Sequence, residues 1–333
     1  MRDGCPRCLR SVVSLAALVG LAALVGLLPA ASADAQTKLA LGHSTAVTDP
    51  CHQSALIFAQ EFQKLTKGQY VVEVYPADQL GKYDEQTQAL RAGTQDIQLM
   101  DPNALDRYDT LAGLHVYPFL FRDADHFFKV YRGPVGAEMF EQIRTKTGVL
   151  IIGTLFRGYR ELTTVKRPIQ KLDDVKGMKI RVPPAKIFVE TWKTLGANPT
   201  PMVWGEVYLG LKQGLIDAQE NPVSITFHSK IYEVTKYLVL THHAAGYFAF
   251  MVNDKKFQAL PPDVQAAFRA AVVPAEEHYN QFVAKEQLQL VDELKKKGME
   301  VLTPDLGPFR ERIKTLDAQF PEYAPWLAKI REL

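Results

Sequence analysis

Gly177-Met178-Lys179-Ile180-Arg181-Val182-Pro183-Pro184, followed by Leu195-Gly196-Ala197-Asn198-Pro199-Thr200-Pro201-Met202 and by Gly214-Leu215-Ile216-Asp217-Ala218-Gln219-Glu220-Asn221-Pro222, decides the fold. The first and third stretches hold a short apolar run bounded by glycine or proline, which is how a brief buried strand reads. The spacing predicts strands at Met178–Val182, Thr200–Met202 and Asp217–Gln219, with helices over Ala185–Leu195 and Trp204–Lys212 between them. Strand, helix, strand, helix, strand is the pattern of an open α/β sheet with parallel neighbours. Arg181 then lies near the carboxyl end of a strand, the side of such a sheet where ligands gather. A guanidinium there can hold a carboxylate through two parallel hydrogen bonds. Arg160 follows a predicted boundary at the start of another strand and reads the same way. The competing reading of both is a pair of surface arginines in ordinary salt bridges.

Working outward, the same alternation appears earlier in the chain. Lys38–His43 reads as a strand, and Asp49-Pro50 opens a helix with a capping side chain and a proline at its first position. Ala55, Phe58, Ala59, Phe62 and Leu65 give that helix one apolar face. Tyr70–Tyr75 is a β-branched strand, 84–92 a helix closed by Gly93, and Asp96–Met100 a third strand. Helical pattern covers 123–147, with a break at Gly133-Pro134. Val149–Phe156 and Tyr159–Val165 read as separate strands, as do Tyr237–Thr241 and Tyr247–Val252. A long helical pattern runs from Pro261 to Lys297, with Pro274 inside it, and the tail from Asp305 holds one or two more helices.

The chain has 333 residues, 47% of them hydrophobic, which suits a folded protein of about two domains. Its start is different. Arg2, Arg7 and Arg10 precede the apolar run 11–28, and Ala31-Ser32-Ala33 follows Pro29. That is the order of a secretory signal peptide, cut near Ala33 or Ala35; the alternative is a membrane anchor of minimal length. Residues 1–33 carry three of the 39 Lys+Arg and one of the 37 Asp+Glu, so the remainder is balanced at 36 of each. Balanced charge gives no footprint for nucleic acid. Cys5-Pro6-Arg7-Cys8 has the spacing of a redox motif but belongs to the removed segment, which leaves Cys51 as a packing residue and no possible intrachain disulfide. The chain contains no G-x-S-x-G, P-loop, G-x-G-x-x-G or H-E-x-x-H. His242-His243 reads as one surface and one core histidine, because neighbours on a strand point to opposite faces. No metal or cofactor is expected.

The 177–222 block, with Glu206-Val207-Tyr208, Tyr75-Pro76, Gln79-Leu80-Gly81, Pro118-Phe119-Leu120 and Leu260-Pro261, strongly resembles one family across the mature chain. It is that of the substrate-binding receptors of tripartite ATP-independent periplasmic (TRAP) transporters, of the C4-dicarboxylate and sialic acid type. The resemblance implies a two-lobed α/β periplasmic binding protein fold of type II-like form. Lobe one would take 36–157 and 247–286, lobe two 158–246 and 287–333, with a hinged cleft and the long helix spanning both. It implies a periplasmic receptor that closes on a small organic acid and delivers it to the membrane permease subunits; a monomer is the default expectation. It also implies site residues. Arg181 clamps the carboxylate, Arg160 is the second arginine, Asn221 faces the ligand and Trp204 packs over it. Asp101 stands where the sialic acid receptors carry glutamate. His43 lies in the first loop, where lobe one adds contacts, although a structural role stays open for it. Trp204 and Tyr159 together point to a smaller or more apolar carboxylate than a sugar acid. The rival readings are a periplasmic sensor docking on a signalling receptor and an exported enzyme of organic acids.

Overall fold

The structure is a computed structural model and describes residues 36–333; the signal-peptide reading of the first residues lies outside them. The strands are β1 (Thr37–Gly42), β2 (Tyr70–Tyr75), β3 (Ile97–Met100), β4 (Val149–Thr164), β5 (Lys179–Val182), β6 (Asn198–Pro201), β7 (Ala218–Pro222), β8 (Tyr237–Asn253) and β9 (Glu300–Leu302). The helices are α1 (Pro50–Leu65), α2 (Tyr83–Ala92), α3 (Ala124–Tyr131), α4 (Pro134–Thr147), α5 (Lys186–Thr194), α6 (Val207–Lys212), α7 (Val223–His228), α8 (Asp254–Gln258), α9 (Pro262–Lys296), α10 (Gly307–Ile313) and α11 (Ala324–Glu332). Among the described residues no helix is long and apolar enough to cross a membrane.

All strands belong to one sheet, in the order β2-β1-β3-β8-β4-β7-β5-β6, with β9 beside β8. β1 runs parallel to β2 and β3, and β5 runs parallel to β6 and β7, so the two expected α/β units are both present. They are fused by the antiparallel pair β4 and β8, whose register runs from Val149↔Asn253 to Thr164↔Tyr237. This corrects the reading of four short strands. Gly158 and Gly246 look like strand ends in the sequence but sit inside continuous strands. A glycine within a strand marks a bulge or a close approach of two backbones as readily as an end. Both occur here. Register shifts between Phe156 and Tyr159, where Gly158 has φ +77°, and a Cβ on Gly246 would stand 3.1 Å from the Gly158 carbonyl oxygen.

The bulge has a consequence for side-chain direction. A regular strand has period two, which would send residues 157 and 160 to opposite faces. The extra residue at the bulge turns both toward the same cavity.

α1 forms where the sequence placed it. Asp49 caps it by accepting the Cys51 N–H at 2.8 Å, and Phe58 and Phe62 are fully buried against Phe268 of α9. Cys51 is fully buried and burial pushes its thiol up to about 12, so it is an inert packing group. α9 packs on α1, β4, α7 and β9 and so spans the sheet. The chain's end touches both halves: Tyr323 OH donates to Thr110 O at 2.7 Å, while Gln319 Nε2 donates to Thr194 Oγ1 of α5 at 3.3 Å.

Gly158→Ala tests the bulge. Its Cβ would stand 2.4 Å from Gln287 Oε1 in a left-handed backbone conformation. The expected loss is about 1–2 kcal/mol in chemical denaturation at constant m-value. Unchanged stability would contradict the bulge.

Candidate functional site

A cleft of about 650 Å³, open to solvent, lies between the two sets of strands. Arg181, Arg160, Asn221, Trp204 and Asp101 line it together, drawn from residues 120 positions apart in the chain. Tyr159 and His43 do not line it.

Arg181 projects from β5, where Lys179 faces solvent and Arg181 is 4% exposed. Its Nε donates to the Met202 carbonyl at 2.9 Å, and its guanidinium carbon is 5.5 Å from the Trp204 ring centre. Among the described residues no acceptor reaches Nη1 or Nη2 and no carboxylate pairs with it. Burial, reinforced by the Arg160 charge, pushes it down to about 9, against the pull of Glu220. The group stays cationic at neutral pH with its hydrogen-bonding fork unoccupied.

Arg160 is different: its charge is already matched. Nη2 donates to Glu220 Oε1 at 2.8 Å and to the Glu220 carbonyl at 2.9 Å, and Nε donates to Oε2. His243 Nε2 lies 3.1 Å from the same carboxylate, and its Nδ1 lies 2.8 Å from Thr241 Oγ1. Burial raises the Glu220 carboxyl, but Arg160 and His243 outweigh it and hold it at about 2. Asn221 follows Glu220 on β7 and donates from Nδ2 to Gln219 Oε1 at 2.7 Å.

Asp101 forms the wall contributed by β3. It caps a 3-10 turn at Pro102–Leu105, Oδ1 accepting the Asn103 N–H at 3.0 Å. His115 Nε2 makes a close but bent contact with the same oxygen at 2.9 Å. The other ring nitrogen, Nδ1, faces the Ala112 carbonyl at 3.1 Å. A carbonyl only accepts, so the Nδ1 facing it is the donor. Asp101 Oδ2 has no protein donor among the described residues.

Two expectations are corrected. His43 is fully buried beneath the first loop, with Nε2 3.0 Å from His52 Nδ1 and Nδ1 2.9 Å from Thr45 Oγ1. It positions Thr45, which does line the cleft. Tyr159 points the other way because Arg160 beside it points in; its hydroxyl reaches the Phe121 carbonyl at 3.5 Å. The argument from two aromatics for a small cavity therefore loses one of them.

Sequence reasoning missed Arg157. It lines the cleft, stacks 3.7 Å over Phe248, donates from Nε to Tyr279 OH at 3.3 Å and stands 3.8 Å from Asp49 Oδ2. Its signal was the pair Arg157-Gly158-Tyr159-Arg160, legible only to a reader who knows the strand bulges there. His115 carried no signal at all, since it meets Asp101 across fourteen residues of irregular chain. The His242-His243 reading holds: His243 is buried and His242 exposed. Among the described residues no cluster of His, Cys, Asp and Glu could hold a metal ion.

The sequence profile of the bacterial extracellular solute-binding proteins, family 7, matches residues 41–322. The chain belongs to that family. It is 34% identical over 269 residues to the 2,3-diketo-L-gulonate-binding periplasmic protein YiaO of Escherichia coli (strain K12), covering 81% of this chain and 82% of that protein. Its fold superposes with a TM-score of 0.85 on a TRAP periplasmic solute binding protein of Roseobacter denitrificans OCh 114 with bound L-galactonate, at 30% identity over 89% of this chain and 98% of the other. A TRAP periplasmic solute binding protein of Polaromonas sp. JS666 bound to D-erythronate gives 0.85 at 29% identity, over 89% and 98%. The family member described here thus has the two-lobed α/β architecture of those receptors.

The burial of His43 predicts a pH dependence. Burial first, and the neighbouring His52, lower its pKa from 6.5 to about 3. The unfolded chain binds this proton below pH 6.5 and the folded chain only near pH 3, so the stability is present above 6.5 and is lost as pH falls through that window. His43→Gln should remove up to about 1.4 kcal/mol per pH unit of slope between those values. Denaturation midpoints measured from pH 4 to 7 check this, and an unchanged slope would contradict it.

Proposed function

We propose that this family member is a periplasmic receptor that captures a small organic acid by its carboxylate in the cleft and delivers it to the membrane permease of a TRAP transporter. The observation that carries this reading is Arg181, a buried cation with an unoccupied fork on the wall of the cleft. A carboxylate supplies both the missing charge and the two missing acceptors. Export by a cleaved signal, cut near Ala33 or Ala35, goes with this reading.

The steps follow from the residues. The ligand enters while the lobes are apart, and its carboxylate meets the Arg181 fork. Arg160 and Asn221 offer further donors, and Arg160 stays in place because Glu220 and His243 hold it. Trp204 covers the apolar part of the ligand beside the guanidinium. Contacts from Thr45, Asp101 and Asn103 come from the other side of the cleft. They form in full only when the lobes close, so binding favours the closed state by their free energy. The lobe division of 36–157 with 247–286 against 158–246 with 287–333 places two of its joints at the bend of Gly158 and Gly246. The reading is of a receptor and not an enzyme: the chemistry of the cleft is charge neutralisation, with the buried carboxylate of Glu220 already engaged on both oxygens.

Arg181→Ala should weaken binding of L-galactonate or D-erythronate by about 3–5 kcal/mol in titration calorimetry. It should leave the thermal midpoint of the ligand-free protein unchanged or raised, since it removes an uncompensated buried charge. Retained affinity with a large loss of ligand-free stability would overturn the reading. Trp204→Ala should weaken bulky or branched acids more than acetate-sized ones. Equal losses across such a series would show that Trp204 does not cover the ligand.

A further inference from the structure

We infer that the closed cleft is held by a two-point latch outside the ligand site: Asp106 caps helix α5 from the opposite lobe, and Lys82 pairs with Glu206 across the cleft. This rests on the receptor reading and the lobe division proposed above. It adds residues that set how long a captured ligand stays without touching it.

α5 has no cap of its own. It starts at Lys186 after Ala185, which offers no side-chain acceptor, and its first turn holds no acidic residue. The first amides of a helix have no partner within it, and alanine is among the poorest residues to precede them. Lys186 at the first position also puts a positive charge where the helix dipole disfavours one. Its ammonium is drawn aside, 4.6 Å over the Phe320 ring. The missing acceptor comes from 80 residues earlier in the chain: Asp106 Oδ2 accepts the Lys186 N–H at 3.2 Å. A carboxylate there satisfies an orphan amide and faces the positive end of the helix. Asp106 falls in lobe one and Lys186 in lobe two, so α5 is capped only while the lobes are together.

The second contact has the same placement. Lys82 Nζ lies 3.5 Å from Glu206 Oε1, again between the two lobes. Both side chains are exposed, so the pair is weak taken alone. Its position matters more. Lys82 precedes Tyr83, and Glu206 lies two residues after Trp204; Asp106 lies three after Asn103, and Lys186 two after Pro184. Tyr83, Trp204, Asn103 and Pro184 all line the cleft. Each wall is also tied within itself. In lobe one, Tyr83 OH lies 2.8 Å from the Asp101 carbonyl oxygen, and Arg107 Nη2 donates to Asp84 Oδ2 at 2.8 Å. In lobe two, Arg181 Nε donates to the Met202 carbonyl at 2.9 Å. The latch contacts therefore form and break with the approach of the walls that meet the ligand. A contact made only after closure slows opening and leaves entry alone.

Stopped-flow association and release of D-erythronate and L-galactonate by the mature protein test this. Asp106→Ala should speed release about fivefold and leave association within about twofold. The thermal midpoint of the ligand-free variant should stay at the wild-type value. Asp106→Asn keeps an acceptor and should release at the wild-type rate. Lys82→Glu should speed release about two- to threefold, and combining it with Glu206→Lys should restore it. A lower ligand-free midpoint with wild-type release would make Asp106 an ordinary helix cap and overturn the latch. If Asp106→Ala folds poorly, the charge swap carries the test, and a swap that restores nothing overturns the latch. Failure of both acids to bind the wild type overturns the receptor reading and the latch with it. Wild-type binding with release indifferent to all three sites overturns the latch alone.

Discussion

Arg181 is a guanidinium removed from water and given one backbone carbonyl in return. Desolvating a cation without a counter-ion costs several kcal/mol. A folded chain can carry such a cost only if the surroundings hold the group in place and forbid it a partner. Here the partner is forbidden by geometry. Glu220, the acid whose charge acts on it, is held by Arg160 and His243, and a carboxylate engaged on both oxygens has little left to offer Arg181. The free fork is thus maintained by a second, fully satisfied ion pair, and in the proposed reading a ligand anion would offset the cost.

The same constraint explains the framework. Arg181 belongs to β5, Asp101 to the end of β3, and the two meet over one cavity only because β4 and β8 tie both halves into a single sheet. Those strands bulge where they cross from one half to the other, at Phe156/Tyr159 and Arg160/Leu162. A bulge bends a strand without cutting it. It lets the halves be distinct lobes while the hydrogen-bonded ladder stays continuous, and it turns Arg157 and Arg160 to the same side. α9, packed on both α1 and α7, backs the crossing.

Much of this was legible in the sequence because it rests on local rules. Asp49-Pro50 announces a helix start, Gly93 a helix end, and the Ile180-Arg181-Val182 run a short strand with an arginine at its carboxyl end, and all three stand as read. What the sequence did not show depends on distant residues. His43 looked like a loop contact and is a buried strut for Thr45, since only the packing of α1 against the loop decides which way it turns. Tyr159 and Arg160 differ in fate by one position, and the bulge that decides between them depends on pairing with β8. The union of four short strands into two long ones was hidden by glycines that serve both as strand breakers and as bulge formers. His115 is on no motif, and its meeting with Asp101 is a product of tertiary structure alone.

The central claim is that the free fork of Arg181 is the carboxylate clamp. A crystal structure of the mature protein grown with D-erythronate or L-galactonate tests it most directly. The account predicts both carboxylate oxygens within about 3 Å of Arg181 Nη1 and Nη2, with the Arg160–Glu220 pair intact. A carboxylate seated elsewhere, with Arg181 turned to a protein acid or to bulk water, would contradict it.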